Sequence, residues 1–209
     1  PWIEGAPPRE TNEVDVLFWS GGKDSWLALR ALQKEKNDRP VLLTTFDGNS
    51  GLVAHQEIEI DRVLEQAKTL DLPLLLVPLY PGAEYLDRIA LALEAARRKT
   101  AIGRLVFGDL HLEHIRQWRE KELAARFPDL QLHFPLWKRN YDDLLRELYD
   151  ADVTFRVSAV ASDDLKNVVS VGDTFEKELV DRLPRNVDPM GENGEFHTRL
   201  EFSGKETAD

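Results

Sequence analysis

Apolar residues along this 209-residue chain cluster in short, nearly unbroken runs, separated by stretches where they recur every three or four positions. The runs are Val16–Trp19, Val41–Phe46, Leu72–Leu79, Arg104–Phe107 and Leu132–Leu136. Such runs suit parallel strands covered on both faces. Helical patterns lie between them. Trp26–Lys34 follows the first run. Glu57–Leu70 places Ile60, Val63, Leu64 and Ala67 on one stripe, and Tyr85–Arg98 does the same with Leu86, Ile89, Ala90 and Leu93. Leu112–Phe127 is a more polar helix. The alternation predicts an α/β fold, a doubly wound and mostly parallel five-stranded sheet with right-handed crossovers. Ligands of such sheets bind beyond the carboxyl ends of the strands. Ser20–Ser25 and Gly108-Asp109 both fall at such ends.

The rhythm changes after Trp137. Asn140–Asp150 reads as a helix with Asn140 as its N-cap, Val153–Val160 as a strand, Asp173–Leu183 as a helix and Phe196–Phe202 as a strand. We therefore expect two units. Residues 1–138 form the α/β domain and residues 139–209 a smaller C-terminal α+β domain. The last residues, 203–209, read as a frayed end.

Composition narrows the function classes. Hydrophobic residues make up 42% and charged residues 31%, the balance of an ordinary globular protein. No apolar run approaches the roughly 20 residues that span a membrane, and no secretory signal pattern is visible. The chain opens on Pro1 and its only Met is Met190, which reads as a processed or truncated start. The net charge of −11 argues against sequence-independent nucleic-acid binding. Arg97-Arg98-Lys99 and Lys138-Arg139 are small basic clusters that read best as solvated positions. There is no cysteine. That excludes a disulfide, a Cys zinc site, a thiolate nucleophile and a persulfide carrier on this chain. Cytoplasmic localisation is the expectation.

Two segments carry candidate chemistry. The first is Ser20-Gly21-Gly22-Lys23-Asp24-Ser25, between an apolar run and a helical one. A strand, a glycine turn and a helix direct backbone amides and a positive helix end at one point, which suits a polyphosphate. The spacing fits neither a Walker loop nor a dinucleotide fingerprint. Ser20, Gly21, Gly22 and Ser25 can donate to phosphate oxygens, and Lys23 can neutralise them. Asp24 suits a Mg²⁺ that bridges those oxygens, or alternatively the positive end of the helix dipole. Thr45-Phe46, at the end of the second strand, reads as a strand end and polar turn.

The second is Asp188-Pro189-Met190-Gly191-Glu192-Asn193-Gly194-Glu195-Phe196-His197-Thr198. Two glutamates, an amide and an imidazole flank two glycines, a set suited to proton transfer and hydrogen bonding. A polar hairpin loop is the alternative reading.

Together these segments resemble the diphthine–ammonia ligase branch of the PP-loop, or N-type, ATP pyrophosphatases. The first segment matches the S-G-G-x-D-S loop. Gly108-Asp109-Leu110, Arg119 and Phe134-Pro135-Leu136-Trp137 match that branch's middle series, and Gly191–Thr198 its C-terminal motif. The resemblance runs from about Val14 to Phe202. It implies a HUP-type, adenine nucleotide alpha hydrolase-like fold that binds ATP with Mg²⁺. It implies adenylation of a carboxylate, amide formation with ammonia, and release of AMP and pyrophosphate. Asp24 and Asp109 would hold metal, with Asp109 alternatively a ribose contact or a helix-starting carboxylate. Gly108 would border the nucleotide, and Thr45-Phe46 would alternatively be the position for the adenine. Lys23, Asp24, Glu192, Glu195 and His197 would serve catalysis, and Arg119, Asn193 and Glu192 the acceptor. That acceptor is a carboxylate, either protein-borne diphthine or a small molecule.

There are departures from the branch. Ala124 or a neighbour, and Met190, stand where it often carries Cys. Gly172-Asp173 stands where it often has Gly-Arg. Ammonia would come free from solution as ammonium. A homodimer is left open. The alternative from another class is an ATP- or AMP-binding protein, or weak nucleotide hydrolase, without ligase activity.

Overall fold

The computed structural model describes residues 2–3, 13–36, 39–54 and 56–202. The expected end at 203–209 lies outside the described residues. In chain order the elements are β1 (Trp2–Ile3), β2 (Val14–Phe18), α1 (Lys23–Lys36), β3 (Val41–Asp47), β4 (Leu52–Val53), β5 (Ile58–Glu59) and α2 (Ile60–Leu70). There follow β6 (Leu74–Leu79), α3 (Tyr85–Arg97), β7 (Ile102–Val106), α4 (Glu113–Trp118), a π-turn (Arg119–Leu123), α5 (Ala124–Arg126) and β8 (Gln131–His133). The chain then forms α6 (Tyr141–Tyr149), β9 (Val153–Val160), α7 (Lys177–Asp181) and β10 (Phe196–Phe202).

The main sheet has the order β1-β6-β3-β2-β7-β8. Its five strands from β6 to β8 are parallel, as the apolar runs predicted, and β1 joins the β6 edge antiparallel. From β2 the chain winds outward through β3 to β6, then returns to the other side for β7 and β8. The winding therefore reverses at β2, and the carboxyl ends of β2 and β7 face one crevice.

Burial explains the two-sided sheet. Leu17, Leu42 and Leu74 pack on one face with Leu27 and Leu32 of α1 and Val63 and Ala67 of α2. Val16, Leu43, Leu75 and Leu105 pack on the other with Ile89, Leu93 and Ala96 of α3 and with Leu123 and Phe127. The first cluster continues without a break into Leu144 and Leu148 of α6, Phe155 and Val157 of β9, and Phe196 and Leu200 of β10. The C-terminal hairpin is thus packed onto α1 and α2 through shared core.

Several boundaries differ from the periodicity reading, each for a local reason. Asp173–Leu183 is helical only at Lys177–Asp181. Its first residues are drawn into extended pairing with β9, where Phe175 N donates to the Phe155 carbonyl at 2.7 Å and Arg156 bridges Thr174. Ile58–Glu59 is not the start of α2 but a strand paired with Leu52–Val53. The β8 strand stops at His133, because Phe134–Trp137 makes a turn closed by Trp137 N on the Phe134 carbonyl. The helix after Leu112 holds a π-turn at Arg119–Leu123, a feature common where a helix serves a site. Asn140 caps α6 as expected, accepting from the Asp142 and Asp143 amides at 2.8 and 3.3 Å.

Candidate functional site

The turn between β2 and α1 is clamped from two sides. Gly21 sits at φ +82, a region that favours glycine, and its carbonyl accepts the Leu200 amide of β10 at 2.8 Å. A Cβ on Gly22 would lie 2.6 Å from the Thr198 carbonyl oxygen, so only glycine lets the turn approach β10 this closely. Gln66 of α2, itself buried, completes the clamp. Its Oε1 accepts Trp19 Nε1 at 2.9 Å, and its Nε2 donates to the carbonyls of Gly21 and Leu200 at 3.1 and 2.9 Å. Sequence reasoning missed Gln66. The available signal was a polar residue one position before Ala67, on the buried stripe it shares with Val63.

Beyond this turn lies a cleft of about 410 Å³. Ser20, Asp24 and Ser25 line it from the turn, Thr45 from the end of β3, Gly108 and Asp109 from the end of β7, and Arg119 from the π-turn. Glu192 and His197 line it from the C-terminal segment. Gly108 allows the closure, since a Cβ there would sit 2.8 Å from the Asp24 carbonyl oxygen. A larger hollow of about 580 Å³ between α1 and α6 contains none of the motif residues except by proximity of Trp26. Several of its charges pair with one another, Lys34 and Arg139 on Glu147 and Arg146 on Asp143.

Charge distribution inside the cleft is specific. Asp24 Oδ2 binds Lys23 Nζ at 2.9 Å, while Oδ1 is shielded from solvent with no hydrogen-bond partner. Burial raises the Asp24 pKa and Lys23 opposes the rise. The orphaned Oδ1 is an oxygen whose chemistry fits a hard cation shared with phosphate oxygens. Asp109 fits a cation less well, because both oxygens hold Arg119, at 2.6 and 3.0 Å. Arg119 also lies over the Phe107 ring, 4.2 Å from its centroid. Glu192 Oε1 accepts the Leu110 amide at 2.9 Å. Burial, then the negative Asp24, pushes the Glu192 carboxyl up to about 7. His197 Nδ1 lies 3.2 Å from Gln56 Nε2, in the loop between β4 and β5.

Other expected residues stand elsewhere. Lys23 is buried, with its ammonium against the Phe175 and Phe196 rings, both centroids at 5.8 Å, and it meets the cleft only through Asp24. The Lys23 amide donates to Thr198 Oγ1 at 3.2 Å, so it is not aimed at the cleft. Phe46 packs into the core beside the strand end. Glu195 Oε1 accepts from the Asp188 amide at 2.9 Å and Asn193 Nδ2 at 3.1 Å. Burial works to raise the Glu195 pKa, and those hydrogen bonds outweigh it and hold it low. Glu195 and Asn193 thus close the turn that presents Glu192. Asp173 accepts the Ser170 amide at 3.0 Å within its own turn and is not among the lining residues of the cleft.

Residues 13–124 match the family model described as the diphthamide synthase N-terminal domain. The chain belongs to that family. Its superfamily is that of the PP-loop, ATP-using enzymes of ATP pyrophosphatase type. A comparison with curated proteins finds no match. Among solved structures the chain is similar to one titled "predicted subunit of tRNA methyltransferase" from Methanocaldococcus jannaschii, at 22% identity and a TM-score of 0.46. The match covers 94% of this chain and 100% of that one. No helix among the described residues is long and apolar enough to cross a membrane.

Proposed function

We propose that this chain is an ATP-dependent ligase that adenylates a carboxylate, joins it to ammonia as an amide, and releases AMP and pyrophosphate. The observation that carries this reading is the convergence of three distant segments, 20–25, 108–109 and 192–197, on one cleft at the point where the sheet reverses its winding. A nucleotide-binding protein would use the first two of these, whereas the third adds the acid–base groups that the ligase reading needs.

In this reading ATP lies with its phosphates at Ser20 and Ser25 and its base beside Thr45. The Ser25 hydroxyl gives its one proton to the Gly22 carbonyl at 2.9 Å, so it would turn from that carbonyl to donate to a phosphate oxygen. Mg²⁺ would be held by Asp24 Oδ1 and would neutralise charge on the leaving pyrophosphate. Lys23 keeps Asp24 aimed by occupying its other oxygen. Arg119, fixed on Asp109, is a rigid planar donor for phosphate or acceptor carboxylate. The acceptor carboxylate attacks the α-phosphorus, an acyl-adenylate forms and pyrophosphate leaves. Ammonia then attacks the acyl carbon and AMP departs with the former carboxylate oxygen. Glu192 titrates near neutrality and faces the cleft, so it can take the proton that ammonium must lose. His197 stands on the same side for the same task. Glu192 and His197 supply this wall from the C-terminal segment, which in this reading belongs to the acceptor-binding unit, residues 139–209. A cytoplasmic setting fits free ammonium and ATP as the partners.

The test supplies the protein with Mg²⁺-ATP, [¹⁵N]ammonium and a fractionated cell extract as the source of acceptor. AMP whose formation requires both ammonium and extract, with ¹⁵N in an amide product, supports the ligase. Tight nucleotide binding with no AMP from any fraction supports the nucleotide-binding alternative.

A further inference from the structure

The turn that presents Glu192 is braced from outside the cleft by side chains that the proposed chemistry does not use. Asp188 is its anchor. Asp188 Oδ1 accepts the Met190 amide at 2.7 Å and the Glu192 amide at 3.5 Å, and its backbone amide donates to Glu195. Asp188 Oδ2 accepts the Tyr141 hydroxyl at 3.0 Å. The phenol has a single proton. With that proton on Asp188, the phenol oxygen accepts from His111 Nδ1, 2.6 Å away. This assigns the His111 proton to Nδ1 from the network. Burial, and then the negative Asp188, raise the Tyr141 pKa far above the usual phenol value, so Tyr141 remains a donor.

The three residues come from three separate elements. His111 lies in the loop after β7, one residue beyond the Leu110 whose amide holds Glu192. Tyr141 opens α6, which Asn140 caps and which Leu144 and Leu148 fix in the core. Asp188 precedes the turn itself. Both ends of the Glu192 placement, the Leu110 amide and the turn, are therefore tied to one hydroxyl.

The geometry points to Tyr141 as a positioning residue: its hydroxyl, held by His111, fixes Asp188 and so sets where the Glu192 carboxylate stands against the Leu110 amide. The catalytic consequence rests on the ligase reading; the structural half does not.

Tyr141→Phe in the full chain keeps the ring and removes the hydroxyl, and Asp188→Asn keeps the shape and weakens the acceptor. Hydrogen–deuterium exchange then reads the Leu110, Met190 and Glu192 amides. Both variants should speed exchange at these amides roughly tenfold or more, as expected for losing one hydrogen bond to a carboxylate, and leave Leu27–Leu32 of α1 unchanged. Unchanged exchange at Leu110 overturns the inference, as does faster exchange spread evenly over α1. In turnover, Tyr141→Phe should lower kcat for AMP formation about tenfold or more with KM for ATP unchanged. Added to Glu192→Gln it should cost almost nothing further, because both act through one carboxylate. A full additive loss refutes the link. If the native chain forms no AMP, the ligase reading falls and the exchange measurement alone decides Tyr141's role.

Discussion

Replacing Glu192 by Gln should make the protein more stable at alkaline pH than the native chain, and the gain should vanish in acid. Folding moves this carboxyl from 4.5 to about 7, with burial the larger cause and Asp24 the second. The native state thus binds the Glu192 proton more tightly than the unfolded state does. That stabilisation is fully present below pH 4.5, falls as pH rises, and is gone above pH 7. Linkage sets the slope at about 1.4 kcal/mol for each pH unit. The full swing is then about 3 kcal/mol, and solvent at the mouth of the cleft can reduce it to about 1 kcal/mol. The amide of Gln does not titrate, and its carbonyl can still accept from Leu110. Urea unfolding of both proteins from pH 4.5 to pH 8.5 isolates the difference, because all other carboxylates are shared. The variant should gain 1–3 kcal/mol relative to the native chain across that range, with the change complete near pH 8 by the same linkage estimate. A difference that does not vary with pH would refute the assignment of a neutral-range pKa to Glu192.

Three further substitutions probe the frame around the cleft. Gly22→Ala forces the turn away from a Thr198 carbonyl only 2.6 Å from the new methyl, and should cost about 1–3 kcal/mol and lower the melting temperature by roughly 2–10 °C. Gln66→Ala strands the buried Trp19 Nε1 and takes one of two donors from the Gly21 carbonyl, which keeps the Leu200 amide, and should cost about 1–3 kcal/mol in urea unfolding. Arg119→Lys keeps the charge but not the paired contact with Asp109, and should raise Kd for ATP in calorimetry at least several-fold while stability changes by less than about 1 kcal/mol.

The parallel core was legible because its strands are buried on both faces, and their apolar runs stand out against helical periodicity. The turn at Ser20–Ser25 was legible because six adjacent residues carry the signal. What periodicity could not show was where long side chains turn. Lys23 lies in the same motif as Asp24, yet its stem follows Phe175 and Phe196 into the core while Asp24 faces the cleft. Glu192 and Glu195 are three residues apart with similar chemistry. Only the path of the turn decides that one lines the cleft and the other accepts the Asp188 amide. The Tyr141–Asp188 contact joins residues 47 positions apart and has no local signature. Asp173–Phe175 reads as the start of a helix because strand pairing with β9, a long-range choice, overrides local propensity.

The central claim is that the cleft cleaves ATP between its α and β phosphates. The direct measurement is product analysis with α-labelled ATP and Mg²⁺, with ammonium and cell extract added, for the native chain and for Asp24→Ala. The account predicts labelled AMP with pyrophosphate from the native chain and none from Asp24→Ala. Labelled ADP with inorganic phosphate, or AMP formation that survives loss of the Asp24 carboxylate, would contradict it.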